Sequence, residues 1–117
     1  MRDIRMIYHN DFGIAFYWAK EGEVLTARVQ IVFKETGFYL SGSELIKFSA
    51  MIAEACAQNN CESCRASGQC RRFLLKTPLQ QIELAVSLYE LNKIKDLVEG
   101  TLFRLDLFEY LRKTSLN

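Results

Sequence analysis

Apolar and polar residues alternate through the first third of the chain, and apolar residues recur at helical spacing through much of the rest. Ile4 to Tyr8, Ile14 to Trp18 and Val24 to Phe33 are rich in β-branched and aromatic residues, the composition of strands. Between them, Asn10-Asp11-Phe12-Gly13 and Lys20-Glu21-Gly22 supply residues that tolerate positive φ, so the pattern predicts consecutive antiparallel hairpins. In the third strand Leu25, Ala27, Val29, Ile31 and Phe33 alternate with Thr26, Arg28 and Gln30, which predicts one buried face. Lys34-Glu35-Thr36-Gly37 then turns the chain into a short strand, Phe38-Tyr39-Leu40.

Ser41-Gly42-Ser43-Glu44 has capping-box spacing: the serine hydroxyl accepts from a free amide of the first turn while the glutamate reaches back, so a helix should start there. Leu45, Phe48, Ile52 and Cys56 share one face of that helix, with Lys47 and Glu54 elsewhere, and its end is expected near Gln58-Asn59-Asn60. Arg72 to Lys76 and Ile82 to Val86 read as strands separated by Thr77-Pro78. Ser87-Leu88-Tyr89-Glu90 repeats the capping spacing. From there Leu91, Ile94, Leu97, Val98, Leu102, Leu105 and Phe108 trace a long helical stripe, with Gly100 marking a kink or interruption.

Ser41, Glu44, Leu45 and Lys47 recur as Ser87, Glu90, Leu91 and Lys93, an echo that predicts strand-turn-strand-helix units at 23–58 and 71–112. The ordinary chemistry of a strand-to-helix junction gives the same echo without any repeat. The expected fold is α+β: a single domain, 1–117, with an antiparallel sheet of about five or six strands and two helices on one face, a two-layer sandwich.

Composition changes this picture little. Half of the 117 residues are apolar, enough for a core without disulfides. The net charge of +1 argues against long-range attraction to nucleic acid or an anionic membrane. Met1-Arg2-Asp3-Ile4-Arg5-Met6 lacks the apolar run of a signal peptide, and charged residues interrupt every stretch that would otherwise span a bilayer. The expected location is the cytoplasm, where thiols stay reduced.

Against that background the four cysteines stand out. Cys56, Cys61, Cys64 and Cys70 give C-x4-C-x2-C-x5-C, and a two-residue gap turns the sulfurs of Cys61 and Cys64 toward one point, the half-site of a tetrahedral zinc centre. Cys56 and Cys70 would complete a structural zinc site, or His9 would replace one of them. Arg65, Arg71 and Arg72 offset thiolate charge, and Ser63, Ser67 and Gly68 keep backbone amides free to donate to sulfur. Against this, Cys56 lies in register with Leu45 and Ile52, where a cysteine serves as a small hydrophobe. The opening spacing also coincides with that of plant-type iron-sulfur ferredoxins, whose fourth cysteine comes from farther away. A thiol redox enzyme or sensor would use Cys61 and Cys64 alone, although the pair does not open a helix.

His9 is the one histidine, so a multi-histidine metal site cannot be built, and its place between strand and turn suits a structural hydrogen bond. No phosphate loop or dinucleotide fingerprint occurs. Arg65, Arg71, Arg72 and Lys76 beside Phe73 could form a basic edge for nucleic acid, a reading the neutral total charge disfavours against plain charge balance. Phe12, Phe16, Tyr17 and Trp18 make an aromatic hairpin that reads as core before it reads as a stacking platform. Leu102 to Leu111 is apolar around most of a helix circumference, so it is either deeply buried or meets another chain, as a homodimer contact or a partner groove.

Phe38-Tyr39-Leu40-Ser41-Gly42-Ser43-Glu44-Leu45, followed by Leu84-Ala85-Val86-Ser87-Leu88-Tyr89-Glu90-Leu91 and the closing helix, resembles a family of short uncharacterised bacterial proteins, a domain of unknown function. The resemblance covers most of the chain and implies a fold but no activity. Some members carry a cysteine pair in the early hairpin, where Trp18-Ala19-Lys20-Glu21-Gly22 has none. These observations favour a non-enzymatic binding or adaptor domain with a metal-stapled loop, ahead of a thiol-based redox protein or a nucleic-acid-binding protein.

Overall fold

A computed structural model describes residues 2–58 and 73–115. The chain runs β1 (Arg2–His9), β2 (Gly13–Lys20), β3 (Glu23–Phe33), β4 (Thr36–Leu40), α1 (Gly42–Gln58), β5 (Phe73–Lys76), β6 (Glu83–Val86) and α2 (Leu88–Ser115). The α+β class, the two helices and the antiparallel pairing agree with the sequence. The single sheet of five or six strands does not: among the described residues β1-β2-β3-β4 form one sheet in chain order, and β5 pairs with β6 in a separate hairpin. With four residues each, β5 and β6 are short. They lean on α1 and α2 through Phe73, Leu75 and Val86.

The turns follow from residue chemistry. Asn10 Oδ1 accepts from the amides of Phe12 and Gly13, both at 2.9 Å, which closes the first reversal. Glu21 and Gly22 take φ of 54° and 83°, the paired left-handed geometry that matches strand twist in a two-residue hairpin. Thr77 is buried with its hydroxyl engaged, accepting from the Leu79 amide at 3.2 Å and lying 2.8 Å from the Ile82 carbonyl, so the loop before β6 is internally satisfied.

Directly opposed residues share a sheet face, which sorts the side chains of the main sheet. Tyr8 opposes Ala15, Ala15 opposes Ile31, and Ile31 opposes Phe38. On this inner face Tyr8 reaches Asp96 of α2 and Phe38 meets Phe48 of α1. Ile4 and Met6 oppose Trp18 and Phe16 on the other face. Alternation along β3 holds for buried Val29, Ile31 and Phe33 and fails before them. The register shifts between Phe16 and Trp18, so Leu25 opposes Trp18 on the outer face, and both Leu25 and Ala27 are exposed. A bulge breaks the period of two that the sequence pattern assumes.

Both capping boxes form. Glu44 Oε1 accepts from the Ser41 amide at 2.9 Å and Ser41 Oγ from the Glu44 amide at 3.3 Å; the Ser87 and Glu90 counterparts measure 2.9 and 3.1 Å. Each glutamate also binds a cation, Glu44 with Arg28 of β3 at 2.9 Å and Glu90 with Lys34 of the turn between β3 and β4, so the caps fix where the helices enter. Ser87→Ala is expected to cost about 1 kcal/mol of unfolding free energy, the usual effect of losing an N-cap side chain. Urea titration checks it; a midpoint equal to wild type would mean that Glu90 alone holds the start of α2.

Leu45, Phe48, Ile52 and Ala55 of α1 and Leu91, Ile94, Leu97 and Val98 of α2 form the core with the inner sheet residues. α2 runs unbroken through Gly100. The glycine is there for space: a Cβ at this position would lie 2.3 to 2.6 Å from ring atoms of Tyr8. Among the described residues, no helix is long and apolar enough to cross a membrane.

Candidate interaction surface

Of the expected metal ligands, the structure describes Cys56 alone; Cys61, Cys64 and Cys70 lie outside the described residues. Cys56 sits near the end of α1, half-buried against the core rather than sealed within it. Burial pushes its thiol pKa up, with Lys95 lowering and Glu99 raising it, so Cys56 is not an activated nucleophile. His9 is exposed at the end of β1, opposite Ile14. Among the described residues no three metal-ligating side chains converge. Arg65, Arg71 and Arg72 also lie outside them, and Phe73, offered as the aromatic neighbour of a basic edge, is buried in the core with Lys76 exposed beside it.

A polar cluster fastens the first turn to α2. Tyr8 Oη donates to the Asp96 carboxylate, 3.2 and 3.1 Å from its two oxygens, and Asn10 Nδ2 donates to Asp96 Oδ2 and to the Lys93 carbonyl, each at 3.0 Å. Lys93 Nζ pairs with Asp11 at 2.9 Å. The bond to Asp96 and partial burial raise the Tyr8 pKa, so the phenol holds its proton. The residue types suggest an acid-base site, but each group has its partner in another, and the cluster acts as a clamp.

Beyond the clamp α2 runs out of cover. Thr101 is its last buried residue as far as Thr114. Leu102 and Leu105 are half-buried, whereas Phe103 is 67% and Tyr110 66% exposed, and Leu107, Phe108 and Leu111 are exposed as well. The periodicity that predicts a buried stripe to Phe108 therefore holds fully as far as Thr101, with Leu102 and Leu105 half-buried beyond it. Between helix and sheet, Tyr17, Thr26, Leu105, Phe108, Glu109 and Arg112 line an open cleft of about 490 Å³. Burial raises the Tyr17 pKa on the sheet side of this cleft.

The sheet adds a second apolar area. On its outer face Phe16 and Trp18 pack edge to face, with centroids 5.0 Å apart. Exposed Ile4 and Met6 oppose them from β1, and exposed Leu25 opposes Trp18 from β3. Trp18 Nε1 donates to Gln30 Oε1 at 3.1 Å, and Gln30 Nε2 donates to the Phe38 carbonyl at 3.1 Å, so these polar atoms are turned into the sheet, and Ile4, Met6 and Leu25 are the exposed apolar residues around buried Phe16. The core reading of the aromatic hairpin holds for Phe12 and Tyr17, which pack against the main cluster, and for Phe16, which is buried on the outer face beside half-buried Trp18. No protein-family model, curated protein or solved structure matches this chain, and no family is assigned to it.

Proposed function

We propose that this chain is a non-enzymatic protein-binding domain whose contact surface is the end of α2. The observation that carries the proposal is the run from Leu102 to Leu111, where Phe103, Leu107, Phe108, Tyr110 and Leu111 are exposed on a helix whose preceding turns are packed to completion. Contiguous apolar surface of this kind costs solubility unless a partner covers it. Large rigid aromatics with neighbouring Arg104 and Arg112 are the residue types that dominate protein contact energetics.

The cysteine segment serves this domain as a structural staple. Zinc held by Cys56, Cys61, Cys64 and Cys70 would close the connection between α1 and β5, and a closed thiolate tetrahedron leaves no open position for a substrate. The half-buried sulfur of Cys56 supports this, because a ligand must reach out of the core to share an ion. Protein purified without chelator is expected to hold one zinc per chain, and Cys64→Ser to hold none. Fully reduced wild type without metal would overturn the staple and leave the contact surface standing.

For the surface, the test is Phe103→Asp combined with Leu107→Asp, exposed positions that leave the core intact. Wild type is expected to retain a protein partner, a second copy included, in affinity capture and sedimentation, and the variant to lose it at an unchanged melting midpoint. Wild type that stays alone in both measurements overturns the proposal.

A further inference from the structure

Resting on the contact surface proposed above, we infer that its partner is a second copy of this chain, joined by antiparallel pairing of the two β1 strands about a two-fold axis at Ile4. β1 is an edge: within the described residues it pairs with β2 on one side and with nothing on the other. An edge of eight residues exposes a row of unsatisfied amides and carbonyls, and the usual protections are proline, charged side chains, a covering element or a bulge. Arg2–His9 contains no proline, its exposed charges Asp3 and Arg5 are of opposite sign, and its one irregularity falls between Met6 and Tyr8. The regular stretch is therefore Arg2 to Met6, and Ile4 is its midpoint.

The charges on β1 select the same centre. Asp3 and Arg5 are exposed, lie two apart and so share a face, and neither has an ion pair among the described residues. Pairing about a two-fold perpendicular to the sheet keeps each side chain on its own face, so the register moves in steps of two residues. Centred on Ile4, Asp3 of each copy opposes Arg5 of the other, twice. Centred on Asp3 or Arg5, a self-pair sets carboxylate against carboxylate or guanidinium against guanidinium, which is unfavourable. Centred on Met6, the pairing would run into the bulge. The strand is complementary to itself in one register.

This arrangement also covers the apolar end of α2. Asp96 binds Tyr8 near the end of β1, and Leu105 and Phe108 share the cleft with Tyr17, which opposes Arg5. The helix therefore runs from Tyr8 on β1 to Tyr17 on β2 and Thr26 on β3, at the level of Arg5. A perpendicular two-fold at Ile4 places both α2 ends on the same side of the joined sheet, antiparallel and flanking the axis. On the opposite side exposed Ile4 meets its copy. Strand edge and exposed helix end are two separate features that one occupant satisfies.

Sedimentation of untagged protein at micromolar concentrations tests the inference. Wild type is expected to be a dimer. Asp3→Arg alone and Arg5→Asp alone each place like charges at both cross-strand positions and are expected to weaken dimerisation at least tenfold. The combined Asp3→Arg, Arg5→Asp chain restores the pairs in reverse, and a mixture of the two single variants pairs only across species, so both are expected to dimerise as wild type does. A wild-type dimer indifferent to these charges and abolished by Phe103→Asp with Leu107→Asp overturns the β1 register and keeps the α2 contact surface. A charge-dependent dimer that survives the α2 variant upholds the strand pairing and overturns the α2 surface. Monomeric wild type at high concentration overturns the inference, and capture of a different protein through α2 would then preserve the binding proposal alone.

Discussion

Phe48→Ala is expected to lower the unfolding free energy by about 3–5 kcal/mol, the largest loss from any single side chain of α1. Phe48 is fully buried, and its ring sits 5.6 Å from that of Phe38. Phe38 lies 5.9 Å from Phe33, and Phe33 lies 5.9 Å from Phe12. The four rings form a continuous path from α1 across β4 and β3 to the first turn. Removing the end on α1 forfeits burial of a whole aromatic side chain and leaves a cavity that Leu45 and Ile52, fixed by the helix one turn to either side, cannot fill. A domain of this size has about 5–15 kcal/mol in total, so the variant would sit near the edge of folding. Equilibrium urea unfolding measures it, with Ile46→Ala as the control on an exposed position of the same helix, expected within about 0.5 kcal/mol of wild type. A Phe48→Ala loss under 1 kcal/mol would mean that the ring path does not hold α1 to the sheet.

The elements of this path were readable from residue order because each depends on local chemistry. Ser41 with Glu44 and Ser87 with Glu90 mark helix starts whatever surrounds them, and Glu21-Gly22 marks a hairpin because few residues take positive φ. What the pattern could not carry is long-range. Leu25 and Ala27 keep perfect alternation with Val29 and Ile31, yet the register shift opposite Tyr17 moves them to exposed positions, and bulges leave no mark on hydrophobic period. The separation of β5 and β6 from the main sheet is likewise a matter of which edges meet, and strand-forming residues do not encode it.

The same distinction runs through the candidate site. The composition of Leu102 to Leu111 says that something must cover it, and the structure identifies which residues the rest of the domain leaves uncovered. The Tyr8, Asn10 and Asp96 clamp joins residues more than 80 positions apart, and nothing in either segment announces the other. A signal did exist in Gly100, a glycine inside a strong helical stripe. The helix is not interrupted there, and what the glycine admits is the close approach of another side chain.

That close approach yields a prediction with a reversal of sign. Gly100→Ala should stabilise an ordinary helix by about 1 kcal/mol, since alanine loses less backbone freedom on folding than glycine. Here it is expected to destabilise by about 1–3 kcal/mol, the cost of forcing a methyl group into an occupied site. The new carbon would lie 2.3, 2.4 and 2.6 Å from Cε2, Cζ and Cδ2 of Tyr8. The ring cannot simply swing aside, because its hydroxyl is tied to Asp96 and Arg104 stands 6.0 Å from its centroid. Either the Asp96 bonds break or α2 lifts from β1. In a Tyr8→Ala background the obstacle is gone, so the same Gly100→Ala change is expected to stabilise by about 1 kcal/mol, recovering the propensity of the helix. Thermal or urea unfolding of the four chains in this double-mutant cycle isolates the contact from the propensity. If Gly100→Ala stabilises in both backgrounds, Tyr8 does not press on α2 and the clamp loses its role in placing the helix on β1. If it destabilises in both, the constraint on Gly100 comes from a neighbour other than Tyr8.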